Sequence, residues 1–249
     1  MAPVISPVPA NTRASLLSIM RSAKKPENVW FHIYYTAASF VVWPAIRLGC
    51  TPNQVTIAAA SLNSIGLVYF MSTHSDAHSI IVTYIVLTIA HILDCADGLL
   101  ANVGAMRSER GYWLDSLFDL FKSAYVALLM TKAIYMHGST FPEQSWVNEV
   151  ALCAAMGQFI NYATSLHALR YREVHDAYQA VSLIAGGPRR SYVSILVRNI
   201  REYGNWLLSF AMFAVDYRLG LWCVIVLGSA HWIFALRRIA ITSRRLGAL

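Results

Sequence analysis

The sequence predicts an all-α membrane protein with six transmembrane helices preceded by an amphipathic helix at the membrane interface. Of its 249 residues, 57% are apolar and 13% are charged, whereas soluble globular domains average about 25% charged residues. Six apolar stretches stand out, and most of them approach the ~20 residues that a helix needs to cross a bilayer. Basic residues are concentrated in alternate connections between these stretches, which is typical of multi-pass membrane proteins.

The first elements of the chain are polar and then aromatic. Residues 1–28 lack the apolar core of a signal peptide, so we expect a cytoplasmic segment there and a membrane domain at 29–249. Residues 29–48 are mildly amphipathic and rich in aromatic side chains, which predicts a helix lying at the interface; a seventh span is the alternative. The six predicted spans are residues 53–72, 79–101, 111–136, 147–168, 203–215 and 219–236. We expect the short fifth span to extend back through 191–200.

The distribution of Lys and Arg predicts the orientation. Basic residues precede the first span, lie between the second and third and between the fourth and fifth, and follow the sixth, whereas the opposite connections hold only Arg218. Both termini are therefore expected on the cytoplasmic side of what we expect to be a bacterial cytoplasmic membrane. The net charge of +7 suits attraction to anionic lipid headgroups. No basic cluster is interleaved with stacking aromatics, so we expect membrane lipids and no nucleic acid as partners.

Four aspartates, Asp94, Asp97, Asp115 and Asp119, lie inside or at the ends of two apolar stretches. A charged side chain at the centre of a membrane helix costs on the order of 2.5–3.5 kcal/mol, and no Lys or Arg lies between the members of either pair. Spacings of three and four residues place each pair on one helix face. The polar link at 102–110 turns the chain, so the helices run antiparallel and the pairs converge near the cytoplasmic surface. Such oxygen ligands suit Mg²⁺ or Mn²⁺, and two ions can clamp a diphosphate.

Two glycines stand at fixed offsets from the acids. Gly98 follows Asp97 directly, and Gly111 precedes Asp115 by one helical turn. A glycine inside a helix costs about 1 kcal/mol relative to alanine and permits close approach of another helix or of a flat ligand such as a nucleotide base. Helix packing explains each glycine taken singly, but their shared placement beside the acids favours a ligand.

The acid-bearing segment resembles the signature of the CDP-alcohol phosphotransferases. That signature is Asp-x-x-Asp-Gly-x-x-Ala-Arg, eight residues, then Gly-x-x-x-Asp-x-x-x-Asp, and residues 94–119 match every defined position except the Arg, which is Asn102 here. A second segment, Thr51-Pro52-Asn53-Gln-Val-Thr56, resembles the family's Pro-Asn-x-x-Thr element. These integral membrane enzymes transfer a phospho-alcohol from a CDP carrier to an acceptor hydroxyl and release CMP. The resemblance covers roughly residues 29–240.

The resemblance implies a role for each matching residue. Asp94, Asp97 and Asp115 hold two metal ions, while Asp119 completes the ligands of the second ion and acts as the base that deprotonates the acceptor. The residues implied to bind the nucleotide are Asn53, Thr56, Gly98, Ala101, Asn102, Ser108 and Gly111. The resemblance also implies a homodimer.

Asn102 is the one departure from the signature. Arg offers a fixed positive fork, whereas Asn offers only neutral hydrogen bonds. Arg107 and Arg110 are candidates to supply the missing charge. Replacing this Arg by Asn could have three consequences: altered donor preference, weaker nucleotide binding or lost activity.

Other polar residues near the acids admit more than one interpretation. We expect His91 to be hydrogen-bonded between helices, and Lys122 to be either a counter-ion to the acids or a residue reaching the interface. Arg170 and Arg172 follow the fourth predicted span; they could grip a phosphorylated acceptor, although the positive-inside pattern also explains them.

The sequence thus predicts a metal-dependent phosphotransferase of phospholipid biosynthesis. CDP-diacylglycerol is the favoured donor, with a small polar alcohol as acceptor. A soluble CDP-alcohol with a lipid acceptor is the alternative within the family, and an ion transporter that uses the buried acids is a more remote one. The residues quoted do not identify the acceptor.

Overall fold

The computed structural model describes residue 19 and residues 29–74, 76–138, 145–169 and 203–246. Within these ranges the chain is all-helical, with seven helices: α1 (Val29–Arg47), α2 (Pro52–Ser72), α3 (Ala77–Val103), α4 (Glu109–Gly138), α5 (Ser145–Leu169), α6 (Tyr203–Val215) and α7 (Tyr217–Leu246). The predicted all-α class is confirmed, and a helix occupies each predicted apolar stretch.

Three of these helices are long and apolar enough to cross a membrane, namely α2, α3 and residues 217–243 of α7. Their apolar side chains are widely exposed; on α2, for example, Ile57, Ile65 and Val68 are 52%, 59% and 66% exposed, as expected where lipid replaces water. α6 is apolar but has only 13 residues, too few to cross a bilayer alone. Crossing by all six predicted spans stays a prediction, and the proposed extension through 191–200 lies outside the described residues.

Capping interactions set where the helices begin. Thr51 starts α2 with a capping box, in which the Gln54 backbone N–H donates to Thr51 Oγ1 at 3.4 Å and the Thr51 N–H donates to Gln54 Oε1 at 2.8 Å. Pro52 follows at the first helical position, where its missing N–H costs nothing. Asp76 caps α3 by accepting from the Ser79 N–H at 2.8 Å, and hydrogen bonds from Ser79 lower the pKa of the Asp76 carboxyl.

The described chain divides into two compact units. The first comprises residues up to Ser61 together with Ile89–Asp115. Its core joins one face of α1 to the start of α2 and the end of α3, and its buried side chains include Tyr34, Ala38, Val42, Val55, Leu99 and Leu100. α1 ends where Gly49 adopts a φ of 70°, with the Cys50 N–H donating to the Ala45 carbonyl at 2.9 Å, as in a Schellman motif.

The second unit comprises Leu62–Thr88 and the chain from Ser116 onward. Its core is larger, and its fully buried side chains include Phe70, Leu129, Met130, Trp206, Leu207 and Phe210. α5 and α7 pack closely: a Cβ added at Gly228 would lie 2.7 Å from the Ala154 Cβ and closer still to its carbonyl. Glycine at this position therefore allows the two backbones to touch.

Candidate active site

Three of the four predicted acids are brought together in the first unit. Asp94 and Asp97 lie near the end of α3, and Asp115 lies two turns into α4. One carboxylate oxygen from each lies within 4.8 Å of the others. Asp97 is buried, with 5% of its surface exposed, while Asp94 and Asp115 are partly exposed. The spacing argument from the sequence thus correctly predicted convergence for these three residues.

This donor set fits a hard divalent cation. All three donors are carboxylate oxygens, the ligands that Mg²⁺ and Mn²⁺ prefer. Ligands of an octahedral Mg²⁺ are separated by about 3.0 Å when adjacent and about 4.2 Å when opposite, so oxygens within 4.8 Å of one another are close enough for a bound ion to draw them together. Without a cation, three carboxylates so close together would repel one another. The chemistry of the cluster therefore suits a metal centre.

Thr56 holds the most buried of the three acids. Its Oγ1 lies 2.5 Å from Asp97 Oδ2 and 3.0 Å from the Pro52 carbonyl oxygen, and it is itself buried. A hydroxyl carries one proton and donates to one acceptor at a time. The capped first turns of α2 thus place the Thr56 hydroxyl against one oxygen of the Asp97 carboxylate.

An open cleft of about 260 Å³ adjoins the cluster. Its size is near the lower end of small-molecule sites, which range over about 300–1,000 Å³. All seven residues that the resemblance assigns to the nucleotide line this cleft, together with two of the acids: Asn53, Thr56, Asp97, Gly98, Ala101, Asn102, Ser108, Gly111 and Asp115. The structure gathers these residues, while their roles stay predictions.

The two glycines of the signature differ in their surroundings. A Cβ added at Gly98 would meet no atom within 4 Å, because the position opens onto the cleft. A Cβ at Gly111 would lie 3.1 Å from Ser108 Oγ and 3.2 Å from Asn53 Oδ1. Ser108 caps α4, since its hydroxyl accepts from the Gly111 N–H at 3.0 Å. Close protein contacts therefore explain Gly111, whereas Gly98 borders open space in the cleft.

Asn102 has a cationic partner in the same cleft. The Nε of Arg107 donates to Asn102 Oδ1 at 2.7 Å, and Nη2 donates to the same oxygen. Both residues are exposed and both line the cleft. Of the two arginines that the sequence offered as substitutes for the missing Arg, the structure places Arg107 in the cleft wall; Arg110 is exposed and is not among the lining residues.

Asp119 lies one turn beyond Asp115 on α4 and has its own partners in the second unit. Its Oδ1 lies 2.5 Å from the Lys122 ammonium, and its Oδ2 accepts from the Tyr162 hydroxyl at 3.0 Å. Lys122 is buried, so it is a counter-ion rather than a residue reaching the interface. These two contacts fix the orientation of the Asp119 carboxylate.

Two further side chains lie beside the acids. His91 Nδ1 lies 3.6 Å from Asp94 Oδ2, and its ring packs edge-on against Tyr34 at 4.6 Å between centroids. Tyr35 also lies near the cluster: burial, with a smaller contribution from the nearby acidic groups, raises the pKa of its phenol. Tyr35 therefore stays a neutral hydroxyl, whereas its sequence context indicated only an interfacial aromatic residue.

Sequence reasoning missed the contacts that join distant parts of the chain. Tyr162 is separated from Asp119 by 43 positions, and nothing in its surroundings marks it as a partner. The capping box at Thr51 was a readable signal, because Thr-Pro-Asn-Gln has the spacing that such a cap requires. Arg170 and Arg172 lie outside the described residues.

One comparison with known proteins agrees with this geometry. The family model described as CDP-alcohol phosphatidyltransferase matches residues 50–215, a range that contains the three clustered acids, the cleft and Asp119. A search of curated proteins found no match.

Proposed function

Because the chain belongs to the CDP-alcohol phosphatidyltransferase family, we propose that it transfers a phosphatidyl group from CDP-diacylglycerol to the hydroxyl of a small polar alcohol. Membership makes the protein a membrane transferase of substituted phosphate groups that acts on a CDP-alcohol in phospholipid biosynthesis. The choice of donor and acceptor is our proposal. The observation that carries it is the carboxylate cluster beside an open cleft, near the end of an apolar helix.

Position along the helix favours this assignment over ion transport. Asp94 and Asp97 lie in the C-terminal half of α3, which spans Ala77–Val103. A site near the end of a membrane helix can receive a soluble substrate from water and a lipid substrate from the bilayer. A transport pathway would more naturally set acids at mid-span and would not require the open position at Gly98.

In the proposed reaction the acceptor oxygen forms a bond to the phosphorus that carries diacylglycerol. The pyrophosphate P–O bond breaks, and CMP leaves with its electron pair. Asp119 takes the proton of the acceptor hydroxyl. Its ion pair with Lys122 and its hydrogen bond from Tyr162 orient the carboxylate for that step.

The proposed metal ligands are Asp94, Asp97 and Asp115, with Asp119 completing the ligands of a second ion. Mg²⁺ or Mn²⁺ bound there would neutralise the diphosphate and stabilise the charge that develops on its oxygens. Thr56 orients Asp97 through their hydrogen bond. The other nucleotide-binding residues form the cleft wall, and the gap at Gly98 admits a planar group.

We further propose that the catalytic domain occupies residues 29–249 after a cytoplasmic segment at 1–28. The protein would form a homodimer with both termini in the cytoplasm of a bacterial cell and would cross the membrane six times. Arg170 and Arg172 are proposed to bind a phosphorylated acceptor, because they follow the helix that supplies Tyr162.

The direct test is to incubate the purified protein with CDP-diacylglycerol and Mg²⁺ and to measure CMP release across glycerol phosphate, inositol phosphate and serine. We expect release with one acceptor and none with Asp115→Asn. Release only with a soluble CDP-alcohol and diacylglycerol would establish the reverse pairing. No CMP from any CDP donor, together with metal-dependent ion flux, would contradict the proposal.

A further inference from the structure

The cleft wall carries charges of both signs. Two carboxylates, those of Asp97 and Asp115, line it, and Arg107 is the cationic residue among the described residues that do so. A ligand that occupies the cleft therefore meets both acids and a guanidinium. A ligand with several phosphate oxygens matches such a site, since it can share a cation with the acids and contact the guanidinium directly.

The backbone at the end of α3 directs Arg107 toward the last turn of that helix. The Met106 N–H donates to the Ala101 carbonyl at 3.0 Å, and the Ala105 N–H donates to the Asn102 carbonyl at 3.4 Å. These are the two bonds of a Schellman motif, and Ala105 occupies its left-handed position with a φ of 52°. The chain thus reverses direction within three residues, and Arg107 returns to contact Asn102.

The partner of Arg107 orients the guanidinium without neutralising it. Asn102 Oδ1 accepts from Nε and Nη2, which leaves three of the five guanidinium N–H groups for another ligand. Within the part of the chain that the structure describes, no carboxylate forms an ion pair with Arg107. The neutral amide oxygen of Asn102 holds the Arg107 side chain in place and adds no negative charge beside it. The guanidinium can therefore still attract an anion.

We propose that Asn102 and Arg107 act together as a phosphate-binding arm: Arg107 binds a phosphate group of the CDP donor, and Asn102 is the residue that positions its guanidinium. This inference rests on the proposed function, because it assigns a contact to that same donor. It also gives a physical reason for Asn at position 102. Arg107, five residues further along the chain, supplies the positive charge. A second guanidinium at position 102 would repel that of Arg107.

The rival explanation is purely structural. A cation near the C-terminal end of a helix interacts favourably with the helix dipole, so Arg107 could contribute to the end of α3 and nothing more. Arg110 provides a matched control, since it is also an exposed arginine in the same region and does not line the cleft. A structural role would change thermal stability and leave nucleotide affinity unaltered.

The experiment is calorimetric titration of the purified full-length protein with CDP in the presence of Mg²⁺. We expect Arg107→Met to raise the Kd about tenfold, as loss of a charged hydrogen bond does, and Arg110→Met to leave it within about twofold. Asn102→Ala keeps the charge of Arg107 but removes the oxygen that orients its guanidinium, so we expect the Kd for CDP to rise about threefold. Arg107→Lys keeps the charge but loses the planar set of guanidinium donors, so we expect a Kd between those of the wild type and Arg107→Met.

A double variant, Asn102→Arg with Arg107→Asn, moves the charge by five residues and should recover most of the lost affinity. Equal Kd values for Arg107→Met and Arg110→Met would overturn the inference and leave the proposed function intact. Failure of the wild-type protein to bind CDP, together with no CMP release from any CDP donor, would overturn both.

Discussion

Two glycines, one in each unit, show how the same residue serves opposite purposes. Gly98 has no atom within 4 Å of a Cβ added to it, whereas a Cβ at Gly228 would overlap the backbone of Ala154. Both lie inside long apolar helices. The first leaves space that the protein does not fill, and the second leaves space that a neighbouring helix fills completely. Glycine inside a helix costs about 1 kcal/mol, so each requires a separate physical explanation.

This difference separates the chemistry of the first unit from the packing of the second. In the first unit, carboxylates and open space converge beside a cleft. In the second, two long polar side chains are paired within the protein: Lys132 donates to the carbonyls of Phe70 and Thr73 at 2.5 and 2.6 Å, and Trp206 donates to His231 at 3.1 Å. Changes at the cleft of the first unit, and at Asp119 in the second, should affect activity, whereas changes in the packed core of the second unit should affect stability.

The largest expected effect is on the acids. Asp97→Asn and Asp115→Asn should each lower the rate of CMP release on the order of 10³-fold, the range seen when a charge-stabilising group is removed from an active site. Thermal unfolding in detergent should show no loss of stability, because each change relieves repulsion among the clustered carboxylates. A variant that keeps its activity would remove Asp97 or Asp115 from the proposed chemistry.

The next effect concerns the glycine between α5 and α7. Gly228→Ala should lower the free energy of unfolding by about 1–3 kcal/mol, because the added methyl overlaps Ala154 and the helices must separate. Thermal unfolding in detergent measures this loss. CMP release per folded molecule should stay near the wild-type rate. An unchanged melting temperature would show that the helix pair tolerates separation.

The opposite result is expected for the glycine of the cleft. Gly98→Ala should leave the protein as stable as the wild type or up to about 1 kcal/mol more stable, since alanine is the better helix former. The added methyl reduces the space available to the ligand, so the Kd for CDP should rise several-fold in a calorimetric titration. Unchanged CDP affinity would mean that Gly98 does not contact the nucleotide.

The smallest effect is expected at the left-handed residue after α3. Ala105 has a φ of 52°, a conformation that costs a residue with a Cβ roughly 1–2 kcal/mol. Ala105→Gly should therefore raise the melting temperature slightly or leave it unchanged, because the gain is partly offset by the greater entropy of the unfolded chain. A clear loss of stability would indicate that Ala105 makes contacts that outweigh its strain.

The helices could be predicted from the sequence because local composition determines them. Apolar stretches predicted the position of each helix from α2 to α7, usually within a few residues. The main difference is α7, which continues to Leu246 through Arg237 and Arg238. Lys and Arg are good helix formers. The helix therefore continues beyond residue 236, where the apolar stretch that predicted it ends.

The site was predictable only in part. The spacing of the acids predicts a shared helix face and hence the convergence of Asp94, Asp97 and Asp115. The contact between Asn102 and Arg107 depends on a left-handed alanine, and alanine is not a residue that marks this conformation. Contacts between Asp119 and Tyr162 depend on packing between α4 and α5, which a single sequence does not specify.

Metal binding measured together with nucleotide binding tests the proposed centre most directly. Titration of the full-length protein with Mn²⁺ in the presence of CDP, followed by electron paramagnetic resonance, should show two bound ions per chain, the arrangement that clamps a diphosphate. Asp115→Asn should lose at least one of them. Binding of no Mn²⁺ by the wild-type protein, or equal binding by Asp115→Asn, would contradict a metal centre built from these carboxylates.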